Sequence, residues 1–142
     1  MLLVYIATNP KVSVEMAKSL AIPLWKLAAA NKPYVVLTAL NGATAVYLGA
    51  IGFHRNYPKG EVGQEQRRIF EIANQYHFIH TLALLGLPLC RTPFLAATFM
   101  LSGILLFCGS GYYIAFTSDR RFRRTTPIGG FCFILGWCSM CL

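Results

Sequence analysis

The sequence predicts an all-α integral membrane protein, a bundle of four transmembrane helices preceded by an amphipathic helical extension at the interface. Three observations lead there. Hydrophobic residues make up 56% of the 142-residue chain and charged residues only 13%, about half the charged share of a typical globular domain. The charges are segregated: residues 34–53, 92–118 and 125–142 contain none. Each run is close to the length that a helix rising 1.5 Å per residue needs to cross a ~30 Å hydrocarbon core.

Residues 1–33 read as the extension. Val12, Met16, Leu20 and Leu24 recur every fourth residue, and Lys11, Lys18 and Lys26 supply charge with Glu15 as the only acid. That is the pattern of one or two helices lying flat at an interface, bent at Pro23. A basic, acid-poor start also resembles a mitochondrial targeting sequence, although it lacks Arg. Asn31-Lys32-Pro33 then breaks the helix.

The first span is expected over about 34–53. Gly42, Ala45, Gly49 and Gly52 line one face, and small residues at that period let helix backbones approach closely in lipid. The loop HRNYPKGEVG (54–63) is polar and rich in turn residues. The second span is expected over about 69–89, followed by a tight turn at Cys90–Pro93. The third, about 94–117, carries Ala96, Gly103, Ser110 and Thr117 at every seventh position, a second small-residue face. The loop SDRRFRRT follows, with Arg120, Arg121, Arg123 and Arg124 placed to meet anionic lipid headgroups. The fourth span is expected over about 126–142.

The net charge of +8 does not point to nucleic acid, because the basic residues flank apolar runs and leave no folded basic face. The loops after the first and third spans hold eight of the 13 Lys and Arg residues, and the other side holds five. The balance puts the two loops inside and both termini outside. The five cysteines lie within or beside apolar runs, against a disulfide framework. Cys138 and Cys141 form a CxxC, which by itself supplies only two metal ligands.

The second span carries the one polar pattern at membrane depth. Projected at 100° per residue, Asn74, His77 and Thr81 fall within about 60° of one another, with His80 and Glu71 to either side. Ile72, Tyr76, Ile79 and Leu82 occupy the opposite face. Three readings remain open. The stripe bonds to other helices, each such bond contributing about 0.6 kcal/mol on average in membranes. Alternatively, His77 and His80 bind a metal or haem iron with a third partner among Glu71, His54 or a cysteine. In the third, the stripe lines a proton, ion or quinone path.

The segments ANQYHFIHTLALLGLPLCR (73–91), SGILLFCGSGYYIAF (102–116), TPIGGFCFILGW (126–137) and LGAIGFH (48–54) resemble the small membrane proteins of the domain-of-unknown-function-423 family, the transmembrane protein 256 group among them. The likeness covers about residues 36–142. At 52–55 the family usually has Gly-Ala-His-Gly. His54 matches the histidine, while Phe53 and Arg55 depart from the pattern on either side. The resemblance implies four membrane helices, a mitochondrial setting in animals, and no known reaction. His54, His77 and His80 are its polar signature here.

No nucleophile with its base, Gly-rich phosphate loop or carboxylate pair appears in the sequence. The reading is therefore not an enzyme, with no cofactor expected. It is an accessory or structural subunit of a mitochondrial inner-membrane assembly, with a respiratory-chain complex or supercomplex as the expected host. Its partners are the bilayer, including anionic phospholipid, and other membrane subunits. The alternative is a cofactor-, quinone- or proton-handling protein using His54, His77 and His80.

Overall fold

The computed structural model describes residues 29–141 throughout, together with Pro10, Lys11, Val14, Pro23 and Lys26. The described residues contain helices and turns and no strand. The chain divides into two units, Met1–Lys32 and Pro33–Leu142. In the first, Pro10, Lys11, Val14, Lys26, Ala29 and Ala30 are helical and exposed, and the Lys26 amide donates to the Pro23 carbonyl at 2.9 Å. Val12, Glu15, Met16, Lys18, Leu20 and Leu24, on which the amphipathic pattern rests, lie outside the described residues.

The second unit is built on α1 (Lys32–Phe53), α2 (Glu61–Leu84), α3 (Pro93–Thr117) and α4 (Thr125–Ser139). Short 3-10 turns at Leu87–Leu89 and Arg121–Arg124 lead into α3 and α4. Helix α1 is apolar all round, and Leu40, Val46 and Tyr47 are each about 60% exposed or more (63%, 59% and 66%). Leu82, Leu89, Phe94, Leu105 and Phe131 are exposed to a similar degree. Large apolar side chains turned outward on every helix are what a lipid solvent permits and water does not.

Among the described residues two helices, α1 and α3, are both long and apolar enough to cross a bilayer. The expected spans at 69–89 and 126–142 fall short of that measure for separate reasons. Helix α2 begins eight residues early and carries Glu61, Glu65, Arg67, Arg68 and Glu71 before its apolar half, and it ends at Leu84, ahead of Gly86 and Pro88. Helix α4 has 15 residues, about 22 Å at 1.5 Å each.

The turn from α1 to α2 depends on two glycines. Gly60 has φ 93°, a left-handed conformation that side chains resist. A Cβ at Gly63 would overlap the Pro58 carbonyl. At the other end of α2, Pro93 occupies the first turn of α3, where its missing N–H costs nothing.

The small-residue faces do meet other helices. Ala45, Gly49 and Gly52 are buried, and a Cβ at Gly49 would sit 3.2 Å from Asn74 Oδ1 while one at Gly52 would overlap the Phe70 ring. On α3, Ala96, Gly103 and Ser110 are buried, and Gly103 receives the Phe133 ring from α4. Gly42 is half-buried, with Thr81 Cγ2 3.7 Å from where its Cβ would be. Thr117 is exposed, so the seven-residue series ends one member early.

Helix α3 is not a regular α-helix throughout. Ile104–Gly109 is π-helical, a widened turn that displaces side chains and carbonyls from their α positions. The Leu106 carbonyl there accepts from Ser110 Oγ at 2.6 Å and, at the limit of bonding distance, from Thr125 Oγ1 at 3.5 Å. Hydroxyls that re-satisfy a freed carbonyl make such an irregularity tolerable away from water.

Candidate functional site

The buried polar stripe of α2 resolves into two separate arrangements. In the first, Asn74 and His77 meet Tyr112 of α3. Asn74 Nδ2 donates to the Ala45 carbonyl of α1 and to Tyr112 Oη, both at 3.0 Å. His77 Nδ1 lies 3.2 Å from the same Tyr112 oxygen. A carbonyl only accepts, so the amide orientation is fixed. Tyr112 Oη accepts from Asn74, and the proton shared between it and His77 Nδ1 belongs to one or the other according to the histidine tautomer. All three side chains are buried. Three helices are thereby tied through one phenolic oxygen and one amide. Gly49 allows it, because a side chain there would press on the Asn74 amide.

His77 Nε2 and Thr81 Oγ1, one turn apart on the same face, are buried without a hydrogen-bond partner in the protein. Gln66 Oε1 is in the same condition, although Gln66 Nε2 donates to Ser118 Oγ. Unpartnered buried polar atoms are uncommon in folded proteins.

The second arrangement centres on His80. Its Nδ1 is 2.8 Å from the Tyr76 carbonyl of the preceding turn, so Nδ1 carries the proton and Nε2 of the neutral ring is a bare acceptor. The ring stacks on Phe133 of α4 with centroids 3.4 Å apart and on Tyr76 at 5.7 Å, with Trp137 edge-on at 6.1 Å. Tyr76 in turn stacks on Phe107 at 4.7 Å. Tyr76, expected on the face away from the stripe, is 40% exposed and serves this aromatic group instead.

Two expected members of the signature are elsewhere. Glu71 is exposed and paired with Arg67 at 3.0 Å. An i,i+4 partner on the charged first half of α2 keeps it in the solvated layer, where a carboxylate costs least. His54 follows α1 and is exposed. It joins neither histidine arrangement, because Phe53 packs edge-on to Phe70 and the chain turns away there. Among the described residues no three His, Cys, Asp or Glu side chains converge as a metal would require. The five cysteines are all unpaired: Cys108 is buried, Cys90 and Cys132 are half-buried, and Cys138 and Cys141 are exposed.

The arginine loop also divides. Arg120 Nη2 pairs with Glu65 Oε2 of α2 at 2.5 Å and Arg121 Nε with Asp119 Oδ2 at 2.6 Å. Arg123 and Arg124 have no ion pair among the described residues. Asp119 also accepts from the Arg121 amide, and these bonds hold its carboxyl below the usual carboxylate range. Arg55 donates to the Phe116 carbonyl at 2.9 Å and lies over the Phe116 ring, so the loop after α1 and the loop after α3 share one end of the unit.

Nothing in the residue pattern marks Tyr112, Tyr76, Phe107 and Phe133 as completing these sites. Aromatic residues in an apolar run read as lipid-facing or core, and Tyr112 is distinguished from Tyr113 only by its neighbour in space.

Residues 48–130 match the family model described as "Protein of unknown function (DUF423)". The chain belongs to this family. The match contains His54, the whole of α2 and α3, and the start of α4. A UPF0382 membrane protein of Staphylococcus epidermidis is 37% identical over 111 residues, covering 75% of this chain and 89% of the relative. The UPF0382 membrane protein YwdK of Bacillus subtilis is 31% identical over 113 residues (75% and 90%). The UPF0382 inner membrane protein YgdD of Escherichia coli is 30% identical over 112 residues (75% and 84%). No solved structure matches. Family membership and the apolar exterior together make the chain a helical membrane protein. These relatives are bacterial, so they carry the membrane assignment and not a mitochondrial one.

Proposed function

We propose that this family member is a non-catalytic accessory subunit that spans an inner membrane with four helices and packs within a larger assembly. The observation that carries the reading is the Asn74–Tyr112–His77 cluster. Its paired polar groups, Asn74 Nδ2, Tyr112 Oη and His77 Nδ1, join α1, α2 and α3, which is what scaffolding requires. The apolar outer faces of α1 and α4 supply surface for neighbouring subunits and lipid.

The four-span reading takes α2 from its apolar half through the 3-10 turn to Leu89, and takes α4 as a short or tilted span. Its basic loops then face inside and both ends of the chain outside. In a mitochondrion that places the termini in the intermembrane space. The mitochondrial setting and a respiratory-chain host rest on the basic N-terminal extension and the family resemblance.

The test is a native gel of mild-detergent membrane extracts. Co-migration with a respiratory complex is the expected result; a small free species would remove the assembly reading. A second reading, proton or quinone handling, is favoured by the buried, unpartnered His77 Nε2. His77→Gln and His80→Gln separate the two. Loss of assembly points to scaffolding, and loss of membrane activity with assembly intact points to chemistry.

A further inference from the structure

Two cavities, about 460 Å³ and about 590 Å³, open between α2, α3 and α4. Phe107 and Pro127 line both, so the two cavities adjoin at these residues and together make a groove along α4. One end is charged, with Glu65, Arg120 and Arg123, and continues along Ile69 and Ile72. The other is apolar and aromatic, with Tyr76, Ile79, Phe131 and Trp137 and with His80 as its one histidine. Gly130 also lines it, and a Cβ there would meet nothing within 4 Å. The π-helical turn places Phe107 at the junction.

We propose that this groove holds an acyl chain of an anionic glycerophospholipid, whose phosphate is bound by Arg123 with help from Arg120. The charge balance at the mouth fits. Glu65 neutralises Arg120, and Arg123 remains as one uncompensated cation. Arg120 keeps guanidinium N–H groups beyond the one facing Glu65, and guanidinium suits phosphate geometry. The depth fits as well. Helix α4 rises about 16 Å from Thr126 to Trp137, close to the ~15 Å of one hydrocarbon leaflet. An isoprenoid quinol would fill the aromatic end and find an acceptor in His80, but has no anion for the paired arginines.

The inference rests on the four-span reading and is independent of the accessory role. The chain has two tryptophans, and Trp25→Phe leaves Trp137 as the reporter in the groove wall. The full chain carrying that change is placed in phosphatidylcholine nanodiscs with a minor fraction of lipid brominated on its chains, either phosphatidylglycerol or phosphatidylcholine. Brominated phosphatidylglycerol is expected to quench Trp137 at about tenfold lower mole fraction, as one charge-assisted contact would give. Arg123→Gln should abolish that preference, and Arg124→Gln, which removes the same charge outside the groove, should preserve it. Both positions are exposed, so neither change threatens the fold. Equal quenching by the two lipids, or equal loss in both variants, would overturn the site and leave the spanning reading standing. Absence of quenching by either lipid would overturn both. Displacement by a quinol, unaffected by Arg123→Gln, would reassign the groove to that class of ligand.

Discussion

Tyr112 joins α3 to Asn74 and His77 of α2, and its role turns on a single oxygen. Tyr112→Phe keeps the ring against Phe70 and Phe116 but leaves an Asn74 N–H and His77 Nδ1 facing nothing. A cost of about 1 kcal/mol is expected, nearer the value for membrane helices than the larger penalty for burial from water, because the unfolded reference is also in lipid. Reversible unfolding in mixed micelles would measure it. In a double-mutant cycle with Asn74→Ala the two changes should couple by about 0.6 kcal/mol and no more than ~1.7. Strict additivity would mean that the bond contributes nothing. His80 belongs to a different set of contacts, so His80→Gln should add independently to Tyr112→Phe.

At the scale of elements, two adjacent glycines of α4 offer a contrast that composition hides. A Cβ at Gly129 would overlap the Phe107 amide of the π-helical turn, whereas one at Gly130 meets open space. Gly129→Ala should push α4 off α3 and destabilise by about 1–3 kcal/mol. Gly130→Ala should be neutral or stabilising by up to ~1 kcal/mol through helix propensity. Equal effects in thermal unfolding would mean that α3 and α4 do not approach as described. The loop between those helices carries a pH dependence of determinate sign. Asp119 has its folded pKa depressed by the Arg121 amide and guanidinium. Its contribution is therefore present above the unfolded value near ~3.9 and lost as pH falls through the folded value. Asp119→Asn should flatten the acid limb of stability below roughly pH 4, and an unchanged limb would assign that limb to other carboxylates.

For the whole molecule the question is orientation and company. Arg55 on Phe116 and Arg120 on Glu65 bring the two arginine-bearing loops to one end, while Thr92 Oγ1 reaches the Ser139 carbonyl at the opposite end. A thiol introduced at Ser118 and the native Cys138 and Cys141 should therefore label from opposite sides of a sealed membrane with an impermeant maleimide. Labelling of both from one side would refute the four-span arrangement. The native-gel experiment then decides whether the apolar exterior meets protein or only lipid.

What the sequence determined by itself was whatever depends on solvent and on local spacing. A chain with 13% charged residues, kept out of its long apolar runs, specifies helices in lipid, and the small residues at 45, 49, 52, 96, 103 and 110 mark faces where backbones come close. The buried polar set Asn74, His77, His80 and Thr81 was legible because a 100° projection finds it. Its division was not. Asn74 and His77 turn to Tyr112 while His80 turns to Phe133, three residues apart but facing different helices. Glu71 and His54 left the set because neighbours along the chain, Arg67 and Phe53, hold them near the surface. The π-helical turn, the partner of each arginine and the groove beneath Phe107 were decided only by tertiary structure. Most of these depend on which residues far apart in the sequence meet in space, Leu106 with Thr125 19 positions apart and Arg55 with Phe116 61 apart, and helical periodicity records the face a residue occupies, not the neighbour that face will find.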